Sequence, residues 1–526
     1  MTTSRQAAGN APAGIQEDQR IPFEVLDFPV SQTGRLGQAR NDHQWKKIYD
    51  AVHETSALRK ELDRGENRVK VIKIGGGSLK GKKNIQDILD LVAERARGHI
   101  VVVSALNGIT DRLIDSMAQA LKDEETIPSI MSELRNKHML VARHLIPSDQ
   151  FIQRYARDLN DHLGKLERLY YGLNFTKEIT PKMSDVISSF GERLSADLLA
   201  TALRARALKA AYRMPHKIGL VTDGKFGDAT ANLAKTSHNL RQHLLPLAKE
   251  GMIVFVPGFF GVSEQGEITT FGRGGSDYSA AVVAAALNAE VLEVWKDVPG
   301  YMSADPKFVP GAQLIPLLSY DEAAELSYFG AKILHPRTVE PLRRLGLAIA
   351  LKNTMNPDAP GSLITSRSPQ GTNLIKSVAH DTDIAILKVH ASGVGARPGV
   401  LAHVAGTITE SGINIKSVVT SQTCISFLLA LKDLGKAYEA VRLLSPRPYR
   451  RLERVEDVAL VGIVGKGLLR RKGIAARCFT AVAERNVNVE MISFGPSEVA
   501  VYFLVRNKDL QKAVEAIHTS FFTTSL

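Results

Sequence analysis

Apolar positions along this chain follow two rhythms. Short apolar runs end at glycines, and longer stretches repeat every third or fourth residue. The first run takes in Val69, Val71, Ile72 and Ile74 and stops at Gly75, Gly76 and Gly77. Such a run predicts a buried parallel strand. Helical spacing follows over 85–97, and Ile100–Val103 predicts a second strand that ends in a small, hydroxyl-bearing loop, 104–110. Helix resumes over 111–120. The stretch 127–169 is helical and charged, broken at Pro147, and is expected either as a lid over the substrate or as a solvated hairpin. One long helix is predicted over 183–203, with Ile187, Phe190, Leu194, Leu198 and Leu199 as its buried stripe. Edge-strand material at 207–214 and 219–222 precedes a strand at 253–256, a hairpin turning at Gly266 and an alanine-rich helix over 279–287. A strand over 289–295, a helix over 318–329 and short strands over 348–353 and 361–364 complete the series. Strands alternating with helices predict an α/β domain with an open, mostly parallel sheet sandwiched by helices.

The pattern changes after residue 366. A strand over 383–390, a helix over 399–410, strands over 412–419 and 425–431 and a helix over 434–444 come in order. The same order returns at 458–464, 474–484, 487–492, 499–505 and 510–519. This is an internal repeat of about 70 residues per copy, and each copy has the order of a ferredoxin-like unit. The expected organisation is an extension over 1–66, polar at first with one helix over 45–62, a main domain over 67–366, and repeat units over 376–452 and 453–526. The repeats carry no cluster of catalytic side chains, so regulation or assembly is their expected work.

Composition narrows the classes. The chain has 526 residues, 44% hydrophobic and 23% charged, which describes a globular protein of several domains. A net charge of +12 is compatible with nucleic acid, but no basic run carries interleaved aromatics. An anionic small substrate explains the charge as well. No apolar stretch is long enough to span a bilayer, and residues 1–20 lack an apolar signal core, so a cytoplasmic protein with no membrane or nucleic-acid partner is expected. Cys424 and Cys478 are expected as free thiols.

The candidate chemistry sits at strand ends. Lys73 lies inside an apolar strand just before the glycines, where a solvated lysine is unfavourable, so a phosphate-facing role is preferred over a surface one. Gly75, Gly76 and Gly77 permit close backbone approach to a ligand, and Ser78 adds a hydroxyl. Gly191, inside the helix over 183–203, implies that something approaches closely, which places Glu192 near a ligand or else leaves it solvated. A second glycine loop holds Arg273, a fork of donors suited to a carboxylate. Asp277 either caps the following helix or takes an ammonium group. Lys296, Asp297, Tyr301 and Asp305 follow the strand over 289–295, where Tyr301 suits stacking on a base and Lys296 and Asp297 suit phosphate and metal or ribose. Lys332 follows Gly330, and His335, without partners at metal-ligand spacing, is expected to be structural. No catalytic triad is visible. Glycine loops, lysines and arginine are the equipment for phosphoryl transfer, in which positioning and charge neutralisation carry most of the catalysis.

Five blocks in order carry a resemblance. Lys73-Ile-Gly-Gly-Gly-Ser78, Phe190-Gly-Glu-Arg-Leu-Ser195, Gly272-Arg-Gly-Gly-Ser-Asp277, Trp295-Lys-Asp-Val-Pro-Gly300 and Gly330-Ala-Lys-Ile-Leu-His-Pro336 resemble motifs of the aspartate kinases, in the amino-acid kinase superfamily. Residues 69–365 resemble their catalytic domain and 376–526 their paired ACT domains. The resemblance implies the amino-acid kinase fold, ATP and Mg²⁺ as cofactors, L-aspartate as acceptor, and a place in lysine, threonine and methionine synthesis. It implies that Lys73 stabilises the transferring phosphates and that Glu192, Arg273 and Asp277 hold aspartate or orient the lysine. It also implies that Ser78 and Thr110 line the acceptor side. Gly75, Gly76, Gly77, Lys296, Asp297, Tyr301, Asp305 and Lys332 then fall on the nucleotide side. Lysine or threonine is implied as a feedback effector, with Arg397, Gly399, Asn414, Thr420, Ser421 and Gln422 as its contacts and the ACT units as the seat of a homodimer or tetramer. Two positions depart from the pattern: Gly77 stands where the family has threonine, and Thr222-Asp-Gly-Lys-Phe226 where it often has T-D-D-x-F. The rival expectations are a kinase for another carboxylate and a catalytically weak regulatory protein.

Overall fold

The computed structural model describes residues 69–331, 333–366, 375–391, 394 and 398–523. The extension over 1–66, Lys332 and Arg397 therefore lie outside the described residues.

In chain order the main domain begins with β1 (Val71–Ile74), α1 (Lys82–Arg95), β2 (Ile100–Val103), α2 (Ile109–Lys122), α3 (Thr126–Leu145) and α4 (Asp149–Thr176). It continues with α5 (Pro181–Ser188), α6 (Phe190–Ala205), β3 (Ala210–Tyr212), α7 (Leu233–Lys249), β4 (Ile253–Pro257), β5 (Phe260–Val262) and β6 (Ile268–Thr270). It ends with α8 (Gly275–Leu287), β7 (Leu292–Lys296), β8 (Leu317–Ser319), α9 (Tyr320–Tyr328), β9 (Ile349–Asn353) and β10 (Ser362–Thr365). Eight strands form one sheet in the order β3-β4-β2-β1-β7-β9-β10-β8. Every neighbouring pair in it is parallel except β9 and β10.

Alternation divides the strands between two cores. Val71, Val102, Val254 and Val294 face the layer that holds α8. Ile72, Ile74, Val101, Val103, Phe255 and Trp295 face the layer that holds α6. Both helices are buried along most of their length, as expected for helices with more than one packed side. The predicted single helix over 183–203 is broken in two. Ser189 Oγ donates to the Val186 carbonyl at 2.6 Å, a local side-chain bond that competes with helical continuation. The stretch over 127–169 becomes α3 and α4, whose inner faces are buried in the α6 layer. The edge material expected at 219–222 contributes only isolated bridges, at Val221 and Thr222.

Beyond 375 lie β11 (Ser377–Asp381), β12 (Ala385–His390), α10 (Val400–Glu410), β13 (Ser417–Thr420), β14 (Cys424–Leu429), α11 (Leu434–Arg442) and β15 (Arg451–Val455). Then come β16 (Ala459–Val464), α12 (Ile474–Glu484), β17 (Met491–Phe494), β18 (Ala500–Val505) and α13 (Leu510–His518). They form two antiparallel sheets, β13-β14-β12-β15 and β11-β16-β18-β17. This corrects the expected division at 452/453. β15 closes the first sheet, and the edge strand of the second, β11, comes from before the first unit begins. The alternation of 377–381 fits the register Ser377↔Val464 to Asp381↔Leu460, so the first unit is inserted into the second.

Helix α9 and Phe329, which follows it, join the main domain to the second of these sheets. Phe329 packs on Tyr502 with ring centroids 5.5 Å apart, in space left by Gly462, where a Cβ would lie 2.6 Å from the Phe329 ring. Glu322, fully buried, accepts from Lys376 Nζ at 3.1 Å and from the Lys466 N–H at 2.9 Å. No helix among the described residues is long and apolar enough to cross a membrane.

Candidate active site

The site is built on the carboxyl ends of β1, β2 and β7. After β1 the chain turns tightly: Ser78 N–H donates to the Gly75 carbonyl and Leu79 N–H to the Gly76 carbonyl, both at 3.1 Å. A Cβ on Gly76 would stand 3.3 Å from the Ala105 carbonyl, so the turn presses close to the loop after β2. Gly77 is different. It is exposed, its Cβ would meet Asp297 Oδ2 at 3.6 Å, and nothing in the packing requires glycine there.

Lys73 is buried, at 4% exposure, as an apolar strand position implies. Strand alternation puts it on the same face as Val71, the α8 face, and its partner comes from the first turn of that helix. Lys73 Nζ lies 2.5 Å from Asp277 Oδ1, and Lys296 Nζ lies 3.3 Å from Asp277 Oδ2. Lys296 also donates to the Ile333 carbonyl. Burial alone would raise the Asp277 carboxyl, but the two ammonium groups outweigh it and hold the group below its ordinary range. Burial, with Lys73 nearby, keeps Lys296 lower than an ordinary lysine, although Asp277 opposes this. The cap expected of Asp277 is not formed: it makes no side-chain cap for α8, and its carboxylate pairs with the two lysine ammonium groups.

Glu192 stands opposite, on α6. A Cβ on Gly191 would lie 2.8 Å from Ala105 Cβ and 3.5 Å from Thr110 Oγ1, so this glycine admits the loop after β2 against the helix. Glu192 is buried, accepts from Ser276 Oγ at 3.3 Å through Oε1, and leaves Oε2 without a hydrogen-bond partner. Burial pushes its carboxyl up to about 8, against the pull of the Ala105 N–H, Ser276 and Lys73. A carboxyl raised in this way binds its proton more tightly folded than unfolded. Its stabilising contribution is full below its ordinary value of 4.5 and is lost as pH rises through about 8. Glu192→Gln should therefore flatten the fall of unfolding free energy over that window, measured by urea titration at stepped pH. A slope identical to the parent's would contradict this environment.

The other residues expected on the acceptor side follow β1, β2 and β6. Ser78 is buried with an unpartnered hydroxyl, and Thr110 is half-buried beside Gly191. Arg273 is exposed at the tip of the loop between β6 and α8. On the other side the placements diverge. Asp297 is exposed and faces Gly77. Tyr301 is a correction: its ring is 1% exposed in the main core and its hydroxyl pairs with Ser327 Oγ at 3.0 Å, so it offers no face to a base. Asp305 shapes a turn, accepting from the Lys307 N–H at 2.9 Å, and lies 3.9 Å from His380 of β11, so it belongs to the junction with the second sheet. His335 Nδ1 accepts from the Arg337 N–H at 3.4 Å and caps the short turn Pro336–Thr338.

The residues assigned to an effector do not all meet. Gly399 begins α10, and the turn 420–424 lies at that same end, with Val394 N–H donating to the Gln422 carbonyl at 3.2 Å. Ser421 Oγ is engaged within its own turn, accepting from Cys424 N–H at 3.1 Å. Asn414 is exposed beyond the other end of α10, a helix roughly 16 Å long. The expected cooperation of Asn414 with the start of α10 therefore does not occur within one copy of the unit.

Sequence reasoning missed Asp185. It lies seven residues before Glu192, on the same side of the helical pattern, and that i, i+7 spacing of two acidic residues inside an apolar stripe was the available signal. Its carboxylate takes three hydrogen bonds, two from Thr270 at the start of the Arg273 loop and one from Gly227 in the turn beside it. Arg337 was also missed: it donates to Phe271 and Ala229 carbonyls and pairs with Asp228 at 2.6 Å.

The sequence and fold are similar to those of known proteins. Residues 68–353 match the Amino acid kinase family and 461–521 match an ACT domain. The chain is similar to Aspartokinase 1, chloroplastic, of Arabidopsis thaliana, 30% identical over 98% of this chain and 91% of that one. It is similar to the crystal structure of E. coli aspartokinase III in complex with aspartate and ADP, 28% identical over 86% of this chain and 100% of that chain, with a TM-score of 0.72. The complex of that protein with lysine and aspartate gives 28% identity over 87% of this chain and 100% of that chain, with a TM-score of 0.74. The chain belongs to the amino acid kinase family, and within it to the aspartokinases, the ATP-dependent kinases of aspartate.

Proposed function

We propose a division of labour for the transfer of the γ-phosphoryl group of ATP to the side-chain carboxylate of L-aspartate, giving 4-phospho-L-aspartate. The acceptor is already ionised near neutral pH, so it attacks phosphorus without a base while the bond to the β-phosphate oxygen breaks and ADP leaves. Lys73 and Lys296 neutralise the charge on the transferring group. Asp277 aligns both ammonium groups. Arg273 takes the α-carboxylate of aspartate, Ser78 and Thr110 line its side chain, and Glu192 faces Lys73. Gly76 and Gly77 bring backbone N–H groups to the phosphates, whereas the Gly75 N–H donates to the Trp295 carbonyl at 3.4 Å and serves only the close approach. The observation that carries this reading is the Asp277 carboxylate held between two lysines at the end of the glycine turn.

A magnesium ion fits this site in one way. Among the described residues no group of three or more His, Cys, Asp or Glu could hold a metal by itself. Magnesium carried on phosphates needs only one or two carboxylates, and exposed Asp297 beside Gly77 supplies one, whereas Asp277 is engaged with lysines. When bound, the ion neutralises phosphate charge.

The paired ACT units are proposed as the seat of feedback by an end-product amino acid and of a homodimer or tetramer. The lysine complex of E. coli aspartokinase III supports lysine, and threonine is the alternative. The separation of Asn414 from the start of α10 supports a site completed by a second unit or a second copy. Cytoplasmic action is supported by the free thiols Cys424 and Cys478.

ADP release measured with ATP, Mg²⁺ and a panel of carboxylates tests the whole reading. Turnover should depend on aspartate, and lysine or threonine should raise the aspartate half-saturation. Preference for another carboxylate would replace the substrate. Absence of turnover would favour a weak regulatory protein, with Gly77 as the first position to restore to threonine.

A further inference from the structure

Asp185 and Glu192 grip one segment at two points. Asp185 Oδ2 accepts from the Thr270 N–H at 2.8 Å and the Gly227 N–H at 2.9 Å, and Oδ1 accepts from Thr270 Oγ1 at 2.7 Å. Six residues further on, Glu192 Oε1 accepts from Ser276 Oγ at 3.3 Å. The chain between these anchors is the loop that bears Arg273. Its side chain is exposed, so the aim of its guanidinium depends on where the loop backbone is held. The loop is tight: Gly272 has φ 71° and a Cβ there would lie 2.8 Å from the Gly227 carbonyl. Asp185 binds Gly227 as well, so it fixes the loop and the turn that the loop leans on.

The Asp185 side chain does no work for its own helix. The cap of α5 comes from Thr180, whose hydroxyl accepts from the Met183 N–H at 3.2 Å. A carboxylate 4% exposed is costly to bury, and these donors offset that cost. Burial raises its carboxyl, and the Thr270 and Gly227 donors pull it back.

We propose that Asp185 is a positioning residue for the phosphoryl acceptor, holding the Arg273 loop so that its guanidinium meets the substrate carboxylate. The inference rests on Arg273 as the carboxylate fork. Asp185→Ala should raise the aspartate KM by about 10- to 100-fold, the scale of a misplacement near one ångström. The ATP KM should stay within about twofold, since the Lys73 side of the site keeps its own anchors. Asp185→Asn should restore most of the affinity. Its amide oxygen accepts from both backbone N–H groups, and its NH₂ donates to Thr270 Oγ1. Thr270→Val, which removes one of the three bonds without disturbing the helix, should raise the aspartate KM by a smaller factor.

Steady-state kinetics of these variants and of Arg273→Ala, with melting curves alongside, decide it. Should Asp185→Ala not fold, Thr270→Val and Asp185→Asn carry the test. An unchanged aspartate KM in Thr270→Val, equal loss for both substrates in Asp185→Ala, or an Asn variant as poor as the Ala variant each overturns the inference. A raised aspartate KM in Arg273→Ala with a normal one in Asp185→Ala overturns it alone. A normal KM in Arg273→Ala overturns the fork itself, and this inference with it.

Discussion

Replacing Lys73 by alanine should lower kcat by about a thousandfold, the scale seen when one preorganised charge is removed from a transferring group. Lys73 is more buried than Lys296, and its ammonium is held 2.5 Å from Asp277. Charge on the transferring phosphoryl group peaks in the transition state. An ammonium aimed at that point acts mostly on kcat, and the ATP KM should change only a few-fold. Lys73→Ala also leaves Asp277 with Lys296 as its remaining ammonium partner of the pair, so some stability is lost. Lys73→Met separates the effects: it keeps the stem that packs in the strand and removes only the charge. Both variants should share the kcat defect, with Met melting closer to the parent. If kcat holds while the ATP KM rises a hundredfold, Lys73 is an anchor for ground-state nucleotide and the assignment fails.

Lys73 also shows how much was legible. An apolar strand, a lysine within it and glycines after it are enough to place the group at the end of β1. What the residues alone did not show was the partner. Asp277 lies some two hundred positions away in the chain, and only the sheet order β2-β1-β7, with α8 across the β1 face, brings it to Lys73. Gly191 was legible for a similar reason: glycine within a helix implied close approach, and Ala105 and Thr110 are what approach.

Tyr301 failed because position after a strand end does not say which way a ring points. Here the loop is tied to β10 through the Tyr301 N–H, which donates to Ser362 Oγ at 2.9 Å, and the ring lies in the core, where Ser327 satisfies its hydroxyl. The interleaving of the two ACT sheets was illegible for another reason. A repeat in sequence fixes which elements resemble each other but not which sheet an extra edge strand joins. β11 is short, and its place beside β16 is decided by tertiary register rather than local pattern. Asp185 stayed hidden because one acidic residue on a helix is ordinarily solvated; its meaning came from the loop that folds over it.

Arg273→Ala should raise the aspartate KM by about 10- to 100-fold while kcat at saturation falls much less. The figure follows from charge-assisted hydrogen bonds worth about 1.5–3 kcal/mol each, at about 1.4 kcal/mol per tenfold in affinity. Unlike Lys73, this side chain is exposed, so removing it empties no core and should leave stability within about 0.5 kcal/mol of the parent. Loss of affinity in a normally folded variant can then be assigned to the missing guanidinium. Arg273→Lys sharpens the point. A lysine restores the charge but not the planar fork, so affinity should return only in part. Full recovery with lysine would mean that the position supplies electrostatic attraction alone. The acceptor used tests the same contact from the ligand side. An analogue that keeps the side-chain carboxylate but lacks the α-carboxylate should bind poorly to the parent and no worse to Arg273→Ala. If the variant loses the analogue and aspartate by the same factor, the guanidinium does not meet the α-carboxylate, and Arg273 must be moved from the acceptor to the phosphate side of the site.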